Sequence, residues 1–128
     1  MEQTFPKKEK LKNKKLITQL FEEGRAVTSF PIKLIYLKTD LSNGVKIQAG
    51  VTVPKKNFKS AVKRNRIKRL LRESYRLNKA AIFNNSEDSF AFLFLYLGKE
   101  QPTYHNINEH LTKVLAKFKK KIDNEKHT

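Results

Sequence analysis

Hydrophobic positions along the chain recur at two different periods, and the clearest block lies between Ala61 and Lys79. At about 100° per residue, Ile67, Leu70, Leu71, Ser74, Tyr75 and Asn78 fall on one side of a helix, a mostly apolar stripe spaced by three and four. Opposite them lie Asn65, Lys68, Arg69, Arg72, Arg76 and Lys79, with Arg64 and Arg66 flanking the first turn. Ser60 stands where an N-cap is needed, because its hydroxyl can accept from a first-turn amide that has no partner inside the helix. A second helix is predicted from Lys10 to Gly24, where Leu11, Leu16, Ile17, Leu20 and Phe21 recur at helical intervals and Gly24 supplies a stop. A third follows Gly98 and Pro102, on the stripe Ile107, Leu111, Val114, Leu115, Phe118 and Ile122.

Between these helices the period changes. Phe30 to Lys38 is rich in β-branched and aromatic residues, and Val45 to Val53 puts Val45, Ile47, Ala49, Val51 and Val53 on one face. Both read as strands, and Asn43-Gly44 between them suits a tight reversal, so an antiparallel hairpin is expected. The other face of the second strand, Lys46, Gln48, Gly50 and Thr52, is polar and open enough to line a cleft. Pro54 ends that strand, having no N–H for the ladder. After the turn residues NNSEDS, Phe90 to Leu97 is apolar on both faces, as an interior strand covered on both sides would be, so Phe90, Phe92, Phe94 and Tyr96 are assigned to the core. The order helix, two strands, helix, strand, helix describes one α+β domain over 1–128 with a small, mostly antiparallel sheet and about three helices. Residues 1–9 and 121–128 are expected as flexible basic tails, with Phe5 the one large apolar residue at the start.

Composition changes the picture at the first helix described. With 28 Lys and Arg against 12 acids, the 128-residue chain carries a formal charge of +16, which points to nucleic acid or an anionic membrane surface. From Lys55 to Lys79 there are eleven Lys or Arg residues and one acid, Glu73. A solvated surface face ordinarily mixes signs; this one cannot neutralise itself through i,i+4 pairs and repels itself unless a polyanion lies on it. The longest apolar run, Phe90 to Leu97, is far shorter than the roughly 20 residues of an α-helical membrane span. The first residues have no apolar h-region, so a cytoplasmic location is expected. The absence of cysteine removes disulfides, thiolate zinc sites and a Cys nucleophile together.

Catalytic chemistry is hard to assemble from what remains. Glu22 and Glu23 are adjacent and diverge on a helix, while Glu87 and Asp88 sit in a turn. His105 and His110 are five apart rather than the four that share a metal on one helix face, and His127 lies in the tail. Four glycines form no phosphate loop. The chain therefore offers recognition chemistry: guanidinium forks for phosphates, an Asn that both donates and accepts, and aromatics that can stack on unpaired bases.

The stretch VTVPKKNFKSAVKRNRIKRLLRESYR closely resembles the signature of the bacterial ribonuclease P protein subunit family, an R-N-R-x-K-R-x-x-R helix preceded by a strand and a Lys pair. Arg64, Asn65, Arg66, Lys68, Arg69 and Arg72 carry the hallmark, with Lys55 and Lys56 as the preceding pair. More weakly, the resemblance runs from about Phe5 to Lys120. It implies a fold like the second domain of ribosomal protein S5, with a left-handed β-α-β crossover. By resemblance, the basic helix from Arg64 to Arg76 docks on a catalytic RNA, one protein per RNA, and a cleft between the first helix and the sheet takes the 5′ leader of precursor tRNA. The RNA does the cutting and uses Mg2+, so no catalytic or metal-binding residue is assigned in this chain. Phe5, Ile17, Phe21 and Tyr36 are the cleft candidates, with Ile35 as an alternative to Tyr36. The family often has Phe where this chain has Ile17, which favours apolar contact over stacking there. Without the resemblance, Phe21 and Tyr36 would read as core residues. Other readings of the same residues are a ribosomal or generic RNA-binding protein, a DNA-binding protein with its Arg-rich helix in the major groove, and a self-sufficient nuclease.

Overall fold

A computed structural model describes residues 5–41, 44–83 and 88–126. Asn43, Asn84 to Glu87 and His127, all of which enter the sequence reading, lie outside them.

The chain begins with a 3-10 turn, Lys7–Glu9, followed by helix α1, Lys14–Glu23. Helix α1 starts four residues later than periodicity predicts because Asn13 caps it, its side-chain oxygen accepting from the amides of Lys15 and Leu16 at 2.9 and 3.2 Å. Gly24 ends it as expected, its amide donating to Leu20 O, and a Cβ there would meet that carbonyl at 2.3 Å and Ile35 Cγ2 at 2.7 Å. The chain then enters β1 (Arg25–Ser29), β2 (Ile32–Lys38), β3 (Ile47–Thr52), α2 (Ala61–Asn78), a single turn α3 (Ala80–Phe83), β4 (Phe90–Tyr96) and α4 (Tyr104–Lys126).

The four strands are ordered β1-β2-β4-β3. The expected hairpin between the second and third of them is therefore wrong. Strand β2 pairs antiparallel with β1 on one side and with β4 on the other, and β3 pairs parallel with β4. The reason lies in β4: with Phe92 and Phe94 on one face and Ala91 and Leu93 on the other all buried, it must be interior, and it takes the place between β2 and β3. Strand β1 escapes the sequence reading because RAVTS is short and polar, and only Val27 in it is buried. Strand β3, helix α2 and strand β4 form a β-α-β unit that includes the whole basic helix.

Two apolar clusters follow from the alternation. On one face, Leu34, Tyr36, Phe90, Phe92 and Phe94 pack under α2 and α4, where Phe118 meets Tyr36, Phe90 and Phe92 edge-on at centroid distances of 4.9, 5.1 and 4.8 Å. On the other, α1 lays Leu20 over Ile35, Ala91 and Leu93. The polar members of the α2 stripe have their own partner: Ser74 Oγ and Asn78 Nδ2 both donate to Asn108 Oδ1 of α4, at 2.9 and 2.8 Å. Because α1 packs on β2 and β4, its side of β3 stays partly uncovered, and Gln48, Gly50 and Thr52 are half-buried.

Candidate nucleic-acid interface

Helix α2 forms as the spacing requires, with Ile67, Leu71 and Tyr75 fully buried and Ser60 Oγ accepting from the Lys63 amide at 3.3 Å. Its outward side chains have different environments. Arg64 is half-buried and donates to the carbonyls of Phe58 and Lys59 at 2.7 and 2.9 Å, fastening the β3–α2 loop to the helix. Asn65 and Arg69 are exposed, and Lys68 is half-buried. Arg66 donates to Gln101 Oε1 at 2.7 Å. Lys55 and Lys56 are exposed in the loop before the helix, which extends the basic surface past its N-terminus. Arg76 is bonded to Glu73 at 2.5 Å, and that guanidinium holds the Glu73 carboxyl below the usual range. Lys79, expected on the outward face, is instead buried at the C-terminal cap of the helix.

A cleft of about 340 Å³ opens where α1 leaves β3 uncovered. Its floor is Gly50, Val51 and Thr52 of β3 with Leu93 behind, and its rim carries Ile17 and Phe21 of α1. Phe21 is 56% exposed, a ring presented to solvent rather than packed in the core. The opposite wall comes from the N-terminal segment, through Phe5, Lys10, Leu11 and Lys12. That segment, expected to start as a loose tail, packs along β3: the Leu11 amide donates to Ala49 O at 2.9 Å and Lys10 bridges Ala49 in parallel register. Arg72, whose residue type and position belong to the basic helix, also lines this cleft.

Three of the four cleft candidates thus come together and the fourth does not. Tyr36 lies under α4 on the other face of the sheet, 3% exposed, its hydroxyl without a hydrogen-bond partner and its ionisation pushed up first by burial and then by Glu125. Ile35, the alternative, is buried beneath α1. Strand alternation could have excluded Tyr36, since Leu34 and Tyr36 share a face and Leu34 is plainly core. Lys10, Leu11, Lys12 and Arg72 have no local signal for the cleft, because only the tertiary path of the segment 5–12 brings them together there.

Among the described residues no three His, Asp or Glu side chains form a group that could hold a metal ion. His105 is exposed, and His110 is engaged with Ser29 Oγ at 3.0 Å. No helix among the described residues is long and apolar enough to cross a membrane.

The sequence model of the family described as Ribonuclease P matches residues 5–119. The ribonuclease P protein component of Porphyromonas gingivalis is 32% identical over 115 residues, spanning 88% of this chain and 84% of that protein. Its counterpart in Caldanaerobacter subterraneus is 34% identical over 110 residues, spanning 84% and 87%. Among solved structures, the ribonuclease P proteins of Thermotoga maritima and Staphylococcus aureus match with TM-scores of 0.66 and 0.65, at 24% and 19% identity. Each match covers 84% of this chain, with 94% and 93% of the respective partner, and at that identity it speaks for the fold alone. With its basic helix, its sheet order and a family match that spans nearly its whole length, this chain belongs to the ribonuclease P protein family.

Proposed function

We propose that this chain is the protein cofactor of ribonuclease P, holding the catalytic RNA and the 5′ leader of precursor tRNA so that the leader is removed to give the mature 5′ end. The observation that carries the reading is the pairing of two different surfaces in one small domain: a basic face on α2, and a cleft rimmed by Ile17, Phe21 and Phe5. Lys55, Lys56, Asn65, Arg66, Lys68 and Arg69 offer charge and forked donors to the backbone of a folded RNA. Phe21 and Phe5 offer faces for unpaired bases, and Arg72, Lys10 and Lys12 offer cations for the phosphates between them. Arg64 and Arg76 contribute while also engaged with the loop carbonyls and with Glu73.

Scission in this reading occurs on the RNA with Mg2+, in the cytoplasm, where precursor tRNA is made, with one protein per RNA. The protein lowers repulsion between two polyanions and adds leader contacts, for which no catalytic side chain is needed. Adding the purified chain to a bacterial ribonuclease P RNA at low salt should speed leader removal and tighten precursor tRNA relative to mature tRNA. No stimulation would exclude this role and leave a generic RNA-binding protein; cleavage by the chain without RNA would overturn the assignment of catalysis to the RNA.

A further inference from the structure

The segment 5–11 joins the cleft to the C-terminal end of α2. Along β3, an edge strand, it is held by the Leu11 amide on Ala49 O and by Gln48 Nε2, which donates to Lys8 O at 3.1 Å. From there it turns toward the C-terminal end of α2. The Lys79 ammonium donates to Glu9 Oε1 at 2.7 Å, with side chains only 6% and 14% exposed. Beside this pair the Phe5 ring meets Tyr75 edge-on at 5.4 Å, and the Lys10 and Lys79 ammonium groups lie 5.7 and 5.9 Å from the Phe5 centroid. Glu9 also adds to the burial that raises the Tyr75 phenol.

A buried ion pair is a poor way to gain stability, because two well-packed apolar residues do as well without desolvating charge. Its strength is selectivity for one arrangement: the Glu9 carboxylate meets the Lys79 ammonium only when the segment sits in one register. The seated arrangement is also the one that brings Phe5, Lys10 and Leu11 to the cleft as its second wall.

We propose that Glu9 and Lys79 are positioning residues for leader recognition: their ion pair locks the N-terminal segment to the end of α2 and so fixes one wall of the cleft that receives single-stranded RNA. This rests on the leader-binding reading above. A role confined to sealing the β3 edge would affect stability alone and would not distinguish substrates with and without a leader.

The test uses full-length variants reconstituted with ribonuclease P RNA, and reads the ratio of affinities for precursor and mature tRNA. Glu9→Gln and Lys79→Met should each lower that ratio by about tenfold, comparable to the loss of one stacked base. Binding of mature tRNA by Glu9→Gln should stay unchanged. The charge reversal Glu9→Lys with Lys79→Glu should bring the ratio back to within about twofold of wild type, as expected of two groups that act as a pair. Amide exchange at Leu11 should rise in the single variants and fall again in the reversal. A wild-type ratio well above one that survives both substitutions overturns the positioning role, as does an equal loss of affinity for both tRNAs. A wild-type ratio of one overturns the leader-binding reading itself and this proposal with it.

Discussion

Phe21 and Tyr36 sit on opposite faces of one sheet, and their substitutions should behave in opposite ways. Phe21 is 56% exposed, so truncating it removes contact surface without opening a cavity. Phe21→Ala should leave the melting temperature of the free protein nearly unchanged while weakening precursor tRNA by about 1–3 kcal/mol, the range of one base stacked on an aromatic ring. Mature tRNA binding is the control. Tyr36 is the reverse case, a buried ring against Phe118 whose hydroxyl has no partner. Tyr36→Phe should keep or raise stability in a thermal melt, because it removes a desolvated oxygen, and should leave the precursor-to-mature ratio intact. Tyr36→Ala should cost about 3–5 kcal/mol of stability in denaturant unfolding. Should Tyr36→Phe lower leader binding selectively, the placement of Tyr36 away from the leader would be wrong.

At the scale of the element, α2 is a row of cations of unequal availability. Arg69 is exposed, whereas Arg76 shares its charge with Glu73 and Arg64 is fastened to two loop carbonyls. In titrations of binding to the catalytic RNA, Arg69→Ala should flatten the log-log salt slope by roughly 0.7 to 0.9, the share of one neutralised phosphate. Arg76→Ala should flatten it less, and Glu73→Gln should tighten binding at low salt by removing the negative charge beside Arg76. Much of this helix could be read from sequence, since its apolar stripe, Ser60 cap and charge all lie within nineteen consecutive residues, Ser60 to Asn78. What sequence could not reveal was Arg72 at the cleft and Lys79 in the interior, because each depends on where the segment 5–11 passes. Periodicity reports that a strand is buried on one face or two. It does not name the neighbour, and so it identifies β4 as interior, while the expected pairing of β2 with β3 is not the one that forms. The Asn43-Gly44 dipeptide favours reversal locally, but the two-sided burial of Phe90 to Tyr96 outweighs it.

For the whole molecule, a charge of +16 sits on a fold whose two apolar clusters both depend on β4. A chain ending before Phe90 should therefore lose cooperative thermal unfolding altogether, as followed by circular dichroism, although it retains α1, the β1–β2 pair and the basic helix in sequence. A sharp transition in that fragment would mean that the β3–α2 half holds itself together without the central strand.

The strand order also sets a sequence of events in time. Because β2 and β3 each meet β4 and not one another, the two halves of the sheet stay separate until the chain has been made through Tyr96. Synthesis from the N-terminus delivers the polycationic helix first and the strand that closes the sheet around it afterwards. The β3–β4 ladder closes across the whole of α2, the kind of distant pairing that slows folding. A growing chain thus presents Arg64 to Arg76 to the anions around it before it has a core to anchor them.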